Sequence, residues 1–123
     1  MQYCTVEYGG GVGSDPSEVL IQNSSPFITQ CTIKDSASSG ISIYGDSAPR
    51  ISYNYIYENH SSYGGGVLVD TNIGGANITH NTIFNNSASQ GGGIYIEGYG
   101  EINVSDNRIT DVTTQATPQK YKG

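Results

Sequence analysis

Two acidic residues that stand 27 positions apart, Asp70 and Glu97, follow matching apolar segments of the chain. Asp46 lies in the turn region after an earlier copy of that segment. Hydrolysis of a glycosidic bond uses two carboxyl groups about 5 to 9.5 Å apart, one as the acid and one as the base or nucleophile. If the matching segments lie side by side, Asp70 and Glu97 meet that spacing, so the three acidic residues are candidate catalytic residues. The competing interpretation is a solvated acidic edge without catalytic activity.

A second group of candidate residues is aromatic. Tyr53, Tyr55 and Tyr57 alternate along one segment, and His80 and Phe84 occupy equivalent or adjacent places in the segment that follows it in the repeat. Such rings are expected on the outer surface, where they could stack on the sugar rings of a carbohydrate. They could equally shield the strand backbone, as cross-strand aromatic pairs do. These five residues are the candidate ligand-binding residues.

The two cysteines, Cys4 and Cys31, are also 27 positions apart. Stacking in register would place their Cα atoms about 5 Å apart, which lies inside the disulfide range, although parallel Cβ vectors fit the required dihedral angle poorly. A disulfide, a metal pair and two stacked free thiols all stay open, and the pattern favours buried free thiols. Two sulfurs are too few for a structural zinc site, and His60 and His80 fall at other repeat positions. The sequence therefore predicts no metal site and no cofactor.

These candidate residues belong to an internal repeat. The stretch Ile-Ser-Tyr-Asn-Tyr-Ile-Tyr-Glu-Asn from Ile51 precedes Gly-Gly-Gly-Val-Leu-Val, and Ile-Thr-His-Asn-Thr-Ile-Phe-Asn-Asn from Ile78 precedes Gly-Gly-Gly-Ile-Tyr-Ile. One repeat position is occupied in successive copies by Cys4, Cys31, Asn54, Asn81 and Asn107. A period in the twenties with short Ile-, Val- and Tyr-rich runs indicates a β-solenoid. We predict an all-β, right-handed parallel β-helix of about five short coils over 1–111, followed by a polar tail over 112–123.

The repeat also predicts the strands and the core. Strands are expected over 28–33, 41–44, 51–57, 67–70, 78–84 and 94–97. Aliphatic side chains at equivalent positions should stack into interior columns, for example Val6, Ile33, Ile56, Ile83 and Ile109, or Met1, Ile28, Ile51, Ile78 and Val104. The repeated asparagines are assigned to a sharp corner, since Asn tolerates the left-handed conformation. Their amides are expected to hydrogen-bond along the column.

The pattern Ile-x-x-Asn-x-Ile-x-x-Asn, then Gly-Gly-Gly-Ile-x-Ile, resembles the parallel β-helix repeats of the pectate-lyase-like superfold. It is most similar to the Asn-rich right-handed β-helix repeats of bacterial and archaeal surface and secreted proteins, so the resemblance implies an extracellular or cell-surface location. That superfold includes polysaccharide hydrolases and lyases, but also adhesins and proteins with no known activity. The Asn-x-Asp, Asp-Asp and Gly-His-Gly arrangements of its hydrolases do not occur in this sequence. The expected function is a non-catalytic scaffold or binding module, with a carbohydrate as the candidate ligand, and the alternative is a polysaccharide-active hydrolase or lyase that uses surface carboxylates.

Composition limits the partners. The 123 residues include five Lys or Arg against eleven Asp or Glu, which gives a formal net charge of -6. The few basic residues form no patch that could collect phosphates, so we expect no nucleic-acid partner. No apolar run has the length needed to cross a bilayer, so we expect no membrane partner. The first residues lack the basic and apolar regions of a signal peptide.

Two features predict self-association. Met1 falls on an interior position, so the first coil is expected to expose unpaired strand edges, which recruit other strands. Leu20, Leu68 and Tyr95 share the outward column of another wall, and an exposed apolar stripe usually marks a contact surface. The sequence therefore predicts a homodimer, formed through the open first coil or through the Leu20/Leu68/Tyr95 face.

Overall fold

A computed structural model describes residues 1–9, 17–72 and 74–114 of the chain. Its strands form four parallel sheets, which we number in the order in which the chain visits them within one coil. Sheet 1 contains Phe27–Thr29, Arg50–Ser52, Asn77–Thr79 and Asn103–Ser105, and sheet 2 contains Thr5–Glu7, Thr32–Lys34, Tyr55–Tyr57, Thr82–Phe84 and Arg108–Thr110. Sheet 3 contains His60–Tyr63, Ser87–Gln90 and Thr113–Thr114, and sheet 4 contains Val19–Gln22, Ile41–Gly45, Val67–Thr71 and Ile94–Gly98.

The stacking of the coils confirms the predicted all-β solenoid. Every strand pairs in parallel with the equivalent strand of the neighbouring coil, as Ile83 does with Ile56 on one side and Ile109 on the other. The described residues contain no helix, and therefore none that is long and apolar enough to cross a membrane. The strand Thr113–Thr114 continues the solenoid beyond 111, and the remainder of the predicted tail, 115–123, lies outside the described residues.

The strands of sheet 4 match the prediction and extend one residue further, to Gly45, Thr71 and Gly98. The strands predicted over 28–33, 51–57 and 78–84 are wrong in one respect, since each is two short strands separated by a corner. The corner is made by a residue with positive φ: 54° at Gln30, 57° at Tyr53 and 56° at His80. A left-handed residue turns the chain from sheet 1 into sheet 2 within two positions.

The asparagine columns lie inside the solenoid, and their assignment to the left-handed corner position is wrong. Asn54 and Asn81 are 2% and 1% exposed, and the left-handed residue is the one before each of them. Asn54 Nδ2 donates to Asn81 Oδ1 at 3.0 Å and to the carbonyl of Ile28 at 3.0 Å. The side chain therefore pairs backbone groups that the turn leaves without strand partners. The predicted amide hydrogen bonds along the column are confirmed.

A second asparagine column was not predicted. Asn59 and Asn86 are buried, Asn59 Nδ2 donates to Asn86 Oδ1 at 3.0 Å, and Asn86 Nδ2 donates to the Ile56 carbonyl at 3.0 Å. The preceding residues, Glu58 and Asn85, have φ of 55° and 53°. The corner between sheets 2 and 3 is thus built in the same way as the corner between sheets 1 and 2.

The core consists of stacked aliphatic side chains contributed by sheets 1, 2 and 4. Eight isoleucines have no solvent-exposed surface: Ile33, Ile41, Ile43, Ile51, Ile56, Ile78, Ile83 and Ile94. Burying an aliphatic side chain of this size contributes about 1.5–3 kcal/mol. The predicted interior columns are confirmed in the middle coils, where their isoleucines are buried. Toward the ends Val6, Val104 and Ile109 are half-buried, and Met1 is 46% exposed.

Glycines allow the coils to approach closely where the chain enters sheet 4. A Cβ on Gly65 would lie 2.5 Å from the carbonyl oxygen of Gly92, and a Cβ on Gly66 would lie 2.6 Å from that of Gly93. The nitrogen of Gly66 donates to these carbonyls at 3.1 and 3.0 Å. Any side chain at Gly65 or Gly66 would force the backbones apart, which explains these two glycines of the first Gly-Gly-Gly run.

Candidate functional site

The aromatic candidate residues lie together on the outer surface of sheet 2 and its corner. Tyr53 and Tyr55 are 59% and 57% exposed, and Tyr57 is half-buried. Because Tyr53 has a left-handed backbone, its side chain lies on the corner rather than in the strand. Tyr55 and Tyr57 belong to the strand Tyr55–Tyr57, where they alternate with the buried Ile56.

The rings form two stacked pairs between neighbouring coils. Tyr53 stacks on His80 with ring centroids 5.0 Å apart, and Tyr57 stacks on Phe84 at 4.6 Å. Tyr55 differs, because its in-register neighbours are Thr32 and Thr82 and no described ring stacks on it. In each stacked pair, one face of each ring is therefore covered by its partner. The ring of Tyr55 has no stacking partner among the described residues, so its faces are accessible to another molecule.

A groove of about 460 Å³ runs between the corner and the exposed side of sheet 2. Its walls are Tyr53 and His80 on one side and Tyr55 with its threonine neighbours on the other, and Cys31 and Asn54 form its floor. The volume falls in the range of small-molecule sites, about 300–1,000 Å³. Among the lining residues none is Asp, Glu, Lys or Arg, so the groove offers hydroxyl, amide and imidazole groups: Gln30, Cys31, Thr32, Tyr53, Asn54, Tyr55, His80 and Thr82.

The opposite side of the Tyr53–His80 pair faces a second groove of about 340 Å³. Arg50 lies in this groove, with its guanidinium 5.5 Å from the centre of the Phe27 ring. On the far edge of His80, Nε2 lies 3.9 Å from Oδ2 of Asp106. The Tyr53–His80 pair thus forms a ridge between two grooves that differ in charge.

Asp70 and Glu97 lie side by side, but Asp46 does not join them. Asp70 pairs in register with Glu97, and Tyr44 occupies the equivalent place on the other neighbouring coil. In-register residues of adjacent coils are about 4.8 Å apart. Asp46 lies beyond the end of its strand, is exposed, and its backbone nitrogen donates to Asn23 Oδ1 at 3.0 Å.

The Glu97 carboxylate accepts a hydrogen bond from the hydroxyl of Tyr95 at 3.3 Å. Burial of Tyr95, followed by the negative charge of Glu97, raises the pKa of that hydroxyl. The hydroxyl therefore stays protonated and holds the carboxylate against the sheet. Within the described residues no group of three or more His, Cys, Asp or Glu side chains forms a metal site.

The Leu20/Leu68/Tyr95 face is less exposed than predicted. Tyr95 is 5% exposed and contacts the Tyr63 ring, with centroids 5.2 Å apart. Leu68 is half-buried, and only Leu20, at 43%, is open to solvent. The Tyr63 side chain, from sheet 3, covers one end of this column. The prediction of an exposed face lacked this contact because it did not include sheet 3.

Cys4 and Cys31 are free thiols with their Sγ atoms 3.1 Å apart. Cys31 is 1% exposed and Cys4 is half-buried. The preference for free thiols agrees with this geometry, since a disulfide would hold the sulfurs about 2.05 Å apart. The hydrogen bond with Cys31, together with burial, raises the pKa of Cys4.

One surface groove was not predicted from the sequence. A third groove, of about 750 Å³, lies where the chain leaves sheet 4, between the 91%-exposed Tyr99 and the amides of Asn77 and Asn103. Near its floor the buried Thr71 hydroxyl has no hydrogen-bond partner among the described residues, and a Cβ on Gly100 would lie 2.4 Å from it. Tyr99 between two glycines was the available signal, but it lies outside the repeated pattern.

Comparison with known proteins supports the fold. A search of curated proteins and a search of solved structures each gave no match. A family model described as the right-handed beta helix region matches residues 1–117, which include every strand of the four sheets. The chain therefore belongs to the right-handed β-helix family.

Proposed function

We propose that this chain is a non-catalytic binding module of a surface or secreted protein, and that the groove beside Tyr55 binds a carbohydrate. The observation that carries the proposal is the combination of an unstacked, 57%-exposed tyrosine with a groove of about 460 Å³ lined by uncharged polar groups. A sugar ring has an apolar face and a rim of hydroxyls. The Tyr55 ring fits the first, and the threonine hydroxyls and Gln30 amide fit the second.

The rigidity of the surroundings favours binding. The floor residue Asn54 is held by hydrogen bonds to Asn81 and to the Ile28 carbonyl, and the Tyr53–His80 wall is held by stacking. A wall and floor that are already ordered lose little conformational entropy when a ligand binds. The lining residues Thr32, Tyr55 and Thr82 come from three successive coils, so the groove also suits an extended chain whose units lie on successive coils.

A glycan array tests the proposal. Labelled protein is applied to neutral and acidic glycans, in parallel with Tyr55→Ala and, as a matched control, Tyr99→Ala. Both tyrosines are exposed, so both variants should fold, but only Tyr55 lines the groove. We expect binding by the native protein and by Tyr99→Ala and its loss in Tyr55→Ala. An array without any bound glycan contradicts the proposal.

A second candidate function is glycoside hydrolysis by Asp70 and Glu97. The observation in its favour is their in-register pairing, which places their backbones about 4.8 Å apart. Side chains that leave the sheet in parallel from this spacing can bring their carboxyl groups to the separation of about 5–5.5 Å that retaining glycosidases use. In this role Glu97 and Asp70 would supply the two carboxyl groups. Release of reducing ends from a polysaccharide panel, abolished by Asp70→Asn with an unchanged melting temperature, would establish this activity. A native protein that releases none rejects it.

A further inference from the structure

The thiols of Cys4 and Cys31 are in direct contact, and the proposed function assigns no role to this contact. Their sulfurs lie 3.1 Å apart at the position that Asn54 and Asn81 occupy in later coils. The neighbouring residues Thr5 and Thr32 pair in register, and the nitrogen of Thr32 donates to the Cys4 carbonyl at 2.8 Å. In-register neighbours are about 4.8 Å apart, and disulfides join Cα atoms about 4.4–6.8 Å apart, so the distance permits a disulfide. Parallel Cβ vectors fit the disulfide dihedral angle poorly, but the 3.1 Å contact shows that the two side chains turn their sulfurs toward each other.

The hydrogen bonds give the two thiols different roles. Cys31 Sγ donates to the carbonyl of Thr29 at 3.3 Å, so its single proton is used there. Cys4 must then donate its proton to the Cys31 sulfur. Cys4 is half-buried and open to a reagent, whereas Cys31, at 1% exposure, contacts Cys4 but hardly reaches solvent.

We propose that Cys4 and Cys31 form a modification site, a dithiol that low-molecular-weight disulfides such as oxidised glutathione convert to an intramolecular disulfide. The Cys4 thiolate attacks one sulfur of glutathione disulfide, which forms a mixed disulfide and releases one glutathione thiolate. The Cys31 thiolate then attacks Cys4 Sγ and releases the second glutathione. Two protons leave the cysteines, two electrons pass to the reagent, and two molecules of reduced glutathione result.

The disulfide would fasten the first coil to the second. The cross-link closes a loop between positions 4 and 31, which includes the three strands Thr5–Glu7, Val19–Gln22 and Phe27–Thr29. Closing such a loop removes conformational freedom from the unfolded chain and so stabilises the folded one. The first coil gains most, because Val6 and Val19 are only half-buried while their counterparts Ile33 and Ile41 have no exposed surface. This inference does not depend on carbohydrate binding.

The test treats the folded native protein with oxidised glutathione in mildly alkaline buffer, because the raised pKa of Cys4 slows the reaction at neutral pH. Intact mass, thiol titration after unfolding and a thermal melt follow the reaction. We expect the mass to fall by two hydrogen atoms, free thiols to fall from two to none, and the melting temperature to rise by about 5 °C or more.

Two single variants assign the roles of the cysteines. Cys31→Ser should retain one glutathione on Cys4, because the resolving thiol is gone. Cys4→Ser should stay unmodified while folded, because Cys31 is buried. The proposal is overturned if the native protein stays reduced where Cys31→Ser takes up glutathione, or if it accumulates stable glutathione adducts. It is equally overturned if oxidation lowers the melting temperature.

Discussion

The buried asparagines of the column that contains Asn54 and Asn81 are almost fully buried, and their side chains make several hydrogen bonds each. Asn81 Oδ1 accepts from both the backbone nitrogen and Nδ2 of Asn54, while Asn81 Nδ2 donates to the Ile51 carbonyl and to Asn107 Oδ1. Asparagine meets this requirement because its side chain carries both an acceptor and a two-proton donor. Cysteine at the same position in the first two coils cannot, so the column changes from amide pairs to a thiol pair.

Asn81→Ala should therefore be severely destabilising. The change leaves the Ile51 carbonyl and two donors of Asn54 without partners inside the solenoid, at a cost of about 2–4 kcal/mol. Urea unfolding followed by circular dichroism measures the effect. The control is Asn72→Ala, at an exposed position, which should change stability by less than about 0.5 kcal/mol. Equal stability of the two variants would show that the column adds nothing.

A second residue prediction concerns Glu18, whose Oε2 accepts from the nitrogen of Gly9 at 2.6 Å. Burial raises the pKa of Glu18, and the hydrogen bonds from Gly9 and Ser36 lower it by less. Because the folded pKa is above the unfolded one, folding favours the protonated acid. Stability from this group is fully present below the unfolded pKa and is lost as pH rises through the folded pKa.

Glu18→Gln keeps an oxygen acceptor but removes the buried charge. It should therefore be more stable than the native protein at pH 7, and the difference should vanish in acid, where Glu18 is protonated in both states. Urea melts over a pH series measure the difference. If the stability difference between Glu18→Gln and the native protein persists unchanged below the unfolded pKa of Glu18, the difference has another cause.

At the scale of elements, the buried face of each short strand sets stability and the outer face is free to vary. Ile56 has no exposed surface, and Tyr55, its neighbour in the same three-residue strand, is 57% exposed. Ile56→Asn should cost about 2–5 kcal/mol, because it places an amide without partners among stacked isoleucines. Tyr55→Asn in the same strand is the control. Thermal melts of the two variants that coincide would contradict the assigned faces.

The elements also show how far the sequence predicts the structure. Sheets 1, 2 and 4 follow from repeated aliphatic columns, since Ile and Val at matched spacings leave one stacking arrangement. Sheet 3 was missed, because its strands His60–Tyr63 and Ser87–Gln90 bury only small groups, such as Ala88, and carry no aliphatic signal. The left-handed corner between sheets 1 and 2 was predicted one residue too late, at the asparagine, because Gln30 and Tyr53 have no special preference for positive φ. Stacking of coils imposes that conformation.

The candidate site was predicted in part. Alternation within Tyr55–Tyr57 correctly placed its tyrosines on the outer surface, and the repeat correctly placed Asp70 beside Glu97. The groove itself could not be predicted, because it lies between Tyr53 at the left-handed corner and Tyr55 in the following strand. The sequence did not show that these two residues belong to different elements. Which rings stack and which stay open is likewise decided by neighbours on the next coil, such as Thr82 beside Tyr55.

At the scale of the whole molecule, self-association stays a prediction. Leu20 is the exposed member of the predicted apolar face, so a homodimer through that face should be weakened by Leu20→Lys. A homodimer through the first coil should be insensitive to the same change. Sedimentation equilibrium at micromolar concentration measures both cases, and a monomeric native protein would contradict the prediction.

We propose that the groove beside the exposed ring of Tyr55 binds a carbohydrate. Calorimetric titration with the oligosaccharide that gives the strongest array signal tests it most directly, using the native protein, Tyr55→Ala and Tyr99→Ala. We expect Tyr55→Ala to weaken binding at least tenfold, or by about 1.4 kcal/mol, and Tyr99→Ala to bind as the native protein does. Native affinity in Tyr55→Ala, or an equal loss in both variants, would contradict it.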